Sequence, residues 1–276
     1  MSTIALSTYS FGPECTATRA IDFALKHGFR GLELGSWTLW PERLSRAEAD
    51  YVRVQAAANG IDLSIHFIHR GIAPASHDSR RRARHLADLE ATLDLAHDIG
   101  ARPVIVHPGP IDCAGVNPAE ASNRVRGEAQ KHLADFLSQG ARMAERTGTV
   151  LCVENLRHAP EEVVRSYGEM VQLVESVGSP TVRITLDIGH ADLADGLRPA
   201  FETFAPYLRH IHVHDSDGKR DHHEVGRGRI DFTGIAELLE SYPFTMAIES
   251  RDEQDEEGCV LRSRDRLKEL LGASAR

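Results

Sequence analysis

The sequence predicts an α/β fold, a (β/α)8 TIM barrel, with residues 1–276 forming one domain. Eight short apolar runs recur along the chain, segments with helical spacing separate them, and no long Pro/Gly/Ser-rich linker divides it. Eight strands alternating with helices over about 250 residues are typical of a closed parallel barrel. An open doubly wound sheet is the alternative. It usually has a glycine-rich phosphate loop after its first strand, and "STYSFGPEC" is not such a loop.

The predicted strands are short runs rich in β-branched and other apolar residues. They are "TIALSTY" (3–9), "GLELGS" (31–36), "DLSIHF" (62–67), "PVIVH" (103–107), "TVLCVEN" (149–155), "VRITLDIG" (182–189), "HIHVHD" (210–215) and "FTMAIES" (244–250). Two of the helical segments between them stop at a glycine, Gly28 and Gly100, and glycine commonly ends helices.

Charge and cysteine content restrict the compartment and the partners. The net charge of −9 argues against a nucleic-acid partner, which usually needs a basic face. No run of about 18 apolar residues predicts a membrane span, and the N-terminus does not resemble a signal peptide. Four scattered cysteines are typical of a reduced compartment. We therefore expect a cytoplasmic protein with a small-molecule partner and no membrane contact, and a homo-oligomer stays open.

Ionisable side chains follow the apolar residues at the ends of six predicted strands. They are His66 on strand 3, His107 on strand 4, Glu154 on strand 5, Asp187 with His190 on strand 6, His212 on strand 7 and Glu249 on strand 8. The carboxyl ends of barrel strands meet at one rim, where active sites of this fold are built. Carboxylates are rarely buried without a partner, so a shared divalent cation is expected there.

The stretch "RHIHVHDSDGKRDHHEVGRGRID" is the densest in imidazole and carboxylate groups. His210, His212 and His214 alternate along the strand and share one face, so alternation does not choose among them. Asp215 is expected to fix the following loop or the ring of a metal ligand.

These residues resemble the xylose-isomerase-like barrels, a superfamily of sugar isomerases and epimerases that also includes the endonuclease IV type of nuclease. The resemblance covers nearly the whole chain. It is carried by "GFRGLEL", "VHPG", "VEN", "LDIGH", "HVHD", "GRGRIDF" and the glutamate of "AIES", in this order.

The resemblance implies a ligand set. The ketose epimerases of the superfamily hold one metal through residues that match Glu154, Asp187, His212 and Glu249, and the two glutamates also act as acid and base. The endonuclease branch adds metals. The ligands there match His66, His107, His190 and an aspartate–any–histidine pair, Asp221 with His223, although counting back from "GRG" gives His222 instead. One to three divalent ions (Mn, Zn, Co or Mg) are therefore expected.

The leading hypothesis for function is isomerisation or epimerisation of a small sugar or sugar derivative through an enediolate. The alternative is metal-dependent hydrolysis of a phosphodiester, as in the endonuclease branch. His190 and Arg157 are predicted substrate contacts, and Trp37 and Phe67 could form an apolar wall. Glu33 either contacts substrate or forms a buried salt bridge, and the sequence leaves both open.

Overall fold

A computed structural model describes residues 2–35 and 44–273. Eight parallel strands close into a barrel in the order of the sequence, and β1 pairs with β8. The strands are β1 (Thr3–Ser7), β2 (Gly31–Leu34), β3 (Asp62–His66), β4 (Val104–Val106), β5 (Leu151–Glu154), β6 (Val182–Asp187), β7 (Leu208–Val213) and β8 (Thr245–Ile248). The predicted barrel is confirmed. Seven of the predicted runs each contain one strand, and β7 begins two residues before its run, at Leu208.

Helices surround this barrel. Within the described ranges they are α1 (Ala17–Lys26), α2 (Arg46–Asn59), α3 (Ser79–Ile99), α4 (Asn123–Thr147), α5 (Tyr167–Val177), α6 (Ile188–Leu193), α7 (Leu197–Phe204), α8 (Ala236–Ser241) and α9 (Glu256–Ala273). Gly100 ends α3 in the left-handed conformation, as predicted, whereas α1 already stops at Lys26 and Gly28 follows it with φ near 71°. None of these helices combines the length and the hydropathy that a membrane crossing requires.

The main hydrophobic core lies between the strands and the helices, and several polar groups lie inside the barrel. On β7, Ile211 and Val213 belong to the apolar core, while His210 and His212 alternate with them and are fully buried. Successive side chains of a strand point to opposite faces, so the two histidines face the barrel interior. This alternation directs ionisable groups toward one end of the barrel.

Candidate active site and metal centre

The imidazole of His212 lies at the centre of the carboxyl-end cluster. Its Nδ1 atom is 3.4 Å from Oε1 of Glu154, 3.4 Å from Oε2 of Glu249 and 3.8 Å from Oδ2 of Asp187. All four side chains are buried. The ends of β5, β6, β7 and β8 therefore each direct one ionisable group to a common point.

Glu154 is surrounded by imidazole rings on its other side as well. Its Oε2 atom is 3.2 Å from Nε2 of His66 and 3.0 Å from Nε2 of His107. Burial alone would raise the pKa of Glu154, but the neighbouring His107 and His212 hold that pKa well below its usual range. The carboxylate form of Glu154 is thus stabilised by the histidines of three strands.

Glu249 is in the opposite electrostatic situation. Burial raises its pKa to about 7; His212 opposes this rise, and the nearby carboxylates of Glu33 and Glu154 increase it. The Ser7 hydroxyl donates a hydrogen bond of 3.0 Å to Oε1 of Glu249. Burial and the neighbouring carboxylates thus disfavour the charged form of Glu249, and a bound cation would relieve this.

The "LDIGH" motif makes a tight strand-to-helix turn. The Asp187 carboxylate caps α6 by accepting the backbone N–H of His190 at 2.7 Å, and its other oxygen is 2.9 Å from Nε2 of His214. A side chain at Gly189 would overlap the ring of His214, so only glycine fits between the two elements. The motif therefore fixes Asp187 and the ring of His190 together.

Asp215 organises the loop that follows β7. Its buried carboxylate accepts backbone N–H groups of four residues at 2.7–3.1 Å: Ser216, Gly226, Gly228 and Ile230. A side chain at Gly228 would overlap this carboxylate, which explains the second glycine of "GRG". Of the two predicted roles of Asp215, the structure shows the one in the loop.

The loop brings Asp221 and His222 to the site. Oδ2 of Asp221 lies 3.4 Å from Nε2 of His190 and 2.5 Å from the guanidinium of Arg157. His222 has a left-handed φ of 61°, and its Nδ1 lies 3.1 Å from the carbonyl oxygen of Glu249.

His223 was predicted as an alternative ligand, and the structure does not bring it into this cluster. Its ring pairs with Asp217 at 3.4 Å, and 31% of its side chain is exposed. The two adjacent rings point apart: that of His222 lies against the carbonyl oxygen of Glu249, and that of His223 against Asp217. Of the two alternatives that the sequence left open, His222 is the one at the site.

The family of the chain follows from a family-level comparison. The model of the xylose isomerase-like TIM barrel family matches residues 21–270. The chain belongs to this family. D-psicose 3-epimerase of Agrobacterium fabrum is 29% identical over 245 residues, which cover 83% of this chain and 76% of the relative.

Solved structures of similar fold include other barrels of sugar epimerases. The structure of L-ribulose 3-epimerase has a TM-score of 0.84 at 19% identity and covers 100% of this chain and 96% of its own. The structure titled IOLI protein with a binding zinc atom has a TM-score of 0.80 at 16% identity and covers 98% of each chain. At these identities the likeness shows the fold alone.

The side chains of this family member fit a divalent cation. Neither ring nitrogen of His212 has a hydrogen bond of normal geometry among the described residues, although carboxylate oxygens lie near both. Two ligand atoms at about 2.0–2.2 Å from a shared tetrahedral ion lie roughly 3.3–3.6 Å apart. The 3.4 Å separations around Nδ1 of His212 match this spacing, whereas they are long for direct hydrogen bonds.

A cavity of about 200 Å³ opens beside these ligands. Glu154, Glu249, His66, His107, His190 and His222 line it, as do Tyr9, His69 and Arg70, which the sequence did not single out. The ring of Tyr9 packs on that of His222 with centroids 4.4 Å apart. Tyr9 follows β1 in a short 3-10 turn, and no motif marks it as part of a site.

Three of the predicted substrate contacts do not line this cavity. The first is Arg157, whose exposed guanidinium pairs with Asp221. Phe67 is 1% exposed and belongs to the hydrophobic core, since it directly follows the inward-facing His66 and points the other way. Glu33 is fully buried inside the barrel beneath the ring of His212, which is the buried salt bridge that the sequence left open. Trp37 lies outside the described residues.

Proposed function

We propose that this chain is a divalent-metal-dependent isomerase or epimerase of a small sugar or sugar derivative. The observation that carries the proposal is the convergence of Glu154, Asp187 and Glu249 on Nδ1 of His212 at 3.4–3.8 Å. The names of its relatives, D-psicose 3-epimerase and 3-dehydro-D-guloside 4-epimerase among them, support the same reaction class.

One ion held by Glu154, Asp187, His212 and Glu249 would polarise a substrate carbonyl and acidify the adjacent C–H bond. Mn, Zn, Co and Mg all accept such a mixed imidazole and carboxylate set. The structure titled IOLI protein with a binding zinc atom shows that a barrel of similar fold can bind a divalent ion.

The proton transfers belong to the two glutamates. Both line the cavity, and they come from strands on either side of β6 and β7. One removes the acidic proton to give an enediolate, and the other returns a proton to the neighbouring carbon or to the opposite face. Positioned acid–base groups of this kind contribute about 10²–10⁴-fold to a rate. His66 and His107, which line the same cavity, hold Glu154 in place, and Ser7 holds Glu249.

His190 is oriented for contact with a substrate in the cavity. The ring of His190 lines the cavity with Nδ1 3.0 Å from the carbonyl of Asn155, which orients the ring. Its Nε2 lies 3.4 Å from Oδ2 of Asp221, and from the cavity wall this ring can donate to a substrate oxygen. A cavity of about 200 Å³ is below the roughly 300–1,000 Å³ of pockets for larger ligands, and this favours a single small sugar.

A second candidate is phosphodiester hydrolysis with several ions. Two further groups of ligand atoms favour it: His66 with His107 and Glu154, and His190 with Asp221 and His222. In each group the atoms lie within 4.8 Å of one another. The net charge of −9 and the small cavity weigh against a nucleic-acid substrate.

Deuterium exchange tests the proposal directly. The protein loaded with Mn²⁺ or Zn²⁺ is incubated in D2O with a panel of ketopentoses, ketohexoses and their phosphates. We expect epimerisation with deuterium appearing at the carbon next to the carbonyl. Glu154→Gln and Glu249→Gln should each lower this rate by at least about 10²-fold, the lower end for a positioned acid or base.

The matched control is Glu253→Gln, because Glu253 follows β8 closely but is 80% exposed and pairs with Arg251. It should retain the rate. Absence of exchange with every ketose, together with nicking of abasic DNA by the metal-loaded protein, would replace the proposal with the hydrolase.

A further inference from the structure

The carboxylate of Glu33 lies inside the barrel, next to His212 of the candidate metal centre. Glu33 is the penultimate residue of β2 and is fully buried, as are His210 and His212 of β7. Its Oε1 lies 3.2 Å from Nε2 of His212, and its Oε2 lies 2.8 Å from Nε2 of His210. The Ser64 hydroxyl donates a hydrogen bond of 3.1 Å to Oε2. Two strands that are not neighbours in the barrel are thereby joined through one carboxylate.

Burying the carboxylate of Glu33 inside the barrel costs folding free energy. The interior of a (β/α)8 barrel is usually filled by branched apolar side chains. Transferring a carboxylate into such an interior is expensive, and well-packed apolar residues often stabilise a fold as much as a buried ion pair does. Stability alone therefore does not explain why Glu33 lies here.

The two nitrogens of His212 have different neighbours. Nδ1 faces the carboxylates of Glu154, Asp187 and Glu249, whereas Nε2 faces only Glu33 among the ion pairs of the described residues. A neutral imidazole has one N–H group and one lone pair. If Nε2 carries the hydrogen and directs it toward the carboxylate of Glu33, 3.2 Å away, the lone pair of Nδ1 points at the position where the three carboxylates converge. A carboxylate on the far nitrogen of a metal-binding histidine fixes its tautomer and raises its basicity.

The other contacts of Glu33 keep it in that orientation. His210 and Ser64 both approach Oε2, so that Oε1 is directed toward His212. Ser7 and Ser64 are the register partners of Glu33 on the adjacent strands, and neither could supply a negative charge in its place.

We propose that Glu33 is a positioning residue of the metal centre, holding His212 as the Nε2–H tautomer so that Nδ1 can bind the ion. This inference rests on the metal site of the proposed function. It assigns Glu33 to the support of a ligand and not to the substrate.

Metal affinity and the tautomer of His212 test this role. In Glu33→Gln the side chain keeps its size but loses its charge. We expect the affinity for Mn²⁺ and Zn²⁺, measured on metal-free protein by chelator competition, to fall about 10–100-fold, as is usual when such a supporting carboxylate is lost. The control is Ser64→Ala, which removes a hydrogen bond in the same buried cluster but leaves the carboxylate in place. It should bind metal as the unsubstituted protein does.

Nitrogen-15 NMR of histidine-labelled protein loaded with Zn²⁺ gives a readout that a purely structural role would not change. The unsubstituted protein should show His212 with its hydrogen on Nε2, and this measurement does not depend on whether any variant folds. His212 protonated on Nδ1 alone would overturn the inference, as would unchanged affinity in Glu33→Gln. An equal loss of affinity in Ser64→Ala would overturn it too, since that result indicates a general packing effect.

None of these measurements uses a substrate. If Glu33→Gln binds metal weakly and the unsubstituted protein epimerises no sugar, the inference stands and the proposed function fails. If the unsubstituted protein is an active epimerase and Glu33→Gln binds metal normally, only the inference fails.

Discussion

Replacing Asp215 by asparagine should release the loop that carries Asp221 and His222. The buried carboxylate accepts four backbone N–H groups, with Ser216 and Ile230 on Oδ1 and Gly226 and Gly228 on Oδ2. An asparagine keeps one oxygen and places an NH2 group where the other was. Two N–H donors thus lose their acceptor and face another donor.

The magnitude follows from that count. A hydrogen bond to a charged group contributes about 1.5–3 kcal/mol, so losing two of them costs roughly 3–6 kcal/mol. Asp215 is 0% exposed, and water does not replace the lost partners in the closed loop. The loop lies at the mouth of the barrel, where segments open locally without unfolding of the whole domain. The cost should therefore appear mainly as opening of residues 215–232.

Hydrogen exchange read by mass spectrometry checks this expectation. Peptides from 215–232 of Asp215→Asn should lose protection, while peptides of β1–β6 keep theirs. The matched control is Asp217→Asn in the same loop, because the exposed Asp217 accepts the backbone N–H groups of Lys219 and Arg220 at 2.8 Å each. Unchanged protection of the loop in Asp215→Asn would refute the reasoning, and so would an equal loss in Asp217→Asn.

Three further substitutions test packing and charge elsewhere. Gly189→Ala should push the ring of His214 away from Asp187 and destabilise the fold by about 1–3 kcal/mol in urea unfolding, as overpacking does. Gly127→Ala, with open space around a helical position, should instead stabilise it by about 0.5–1 kcal/mol. Burial raises the pKa of Glu162 to about 7, so the folded state holds its proton more tightly than the unfolded state, and the free energy of unfolding should fall as pH rises from about 4.5 through 7. Glu162→Gln should remove that part of the pH dependence, and an unchanged profile would contradict it.

The strand-end residues could be predicted from the sequence because barrel topology brings every strand end to one rim. His66, His107, Glu154, Asp187 and Glu249 each end an apolar run, and the structure brings their side chains together. Strand alternation could also have excluded Phe67, since its neighbour His66 faces inward. The contacts of Glu33 were harder to predict from the sequence, because its histidine partners lie on β7. That strand is far away in sequence and is not adjacent to β2 in the sheet.

The choice among the three histidines of β7 and its end depends on register, which no local pattern gives. His212 is level with Asp187 on β6 and Ala247 on β8, while His210 is level with Thr185 and Thr245, two residues deeper in the barrel. A register irregularity between Ile184 and Thr185 sets this alignment. At the deeper level His210 reaches Glu33 but not the carboxylates of the rim, and His214, beyond the strand, reaches Asp187 from the loop side. A shift of two residues along β7 would keep the same inward face and still move a different imidazole to the common point, so the shared level of Asp187 and His212 is what selects the ligand.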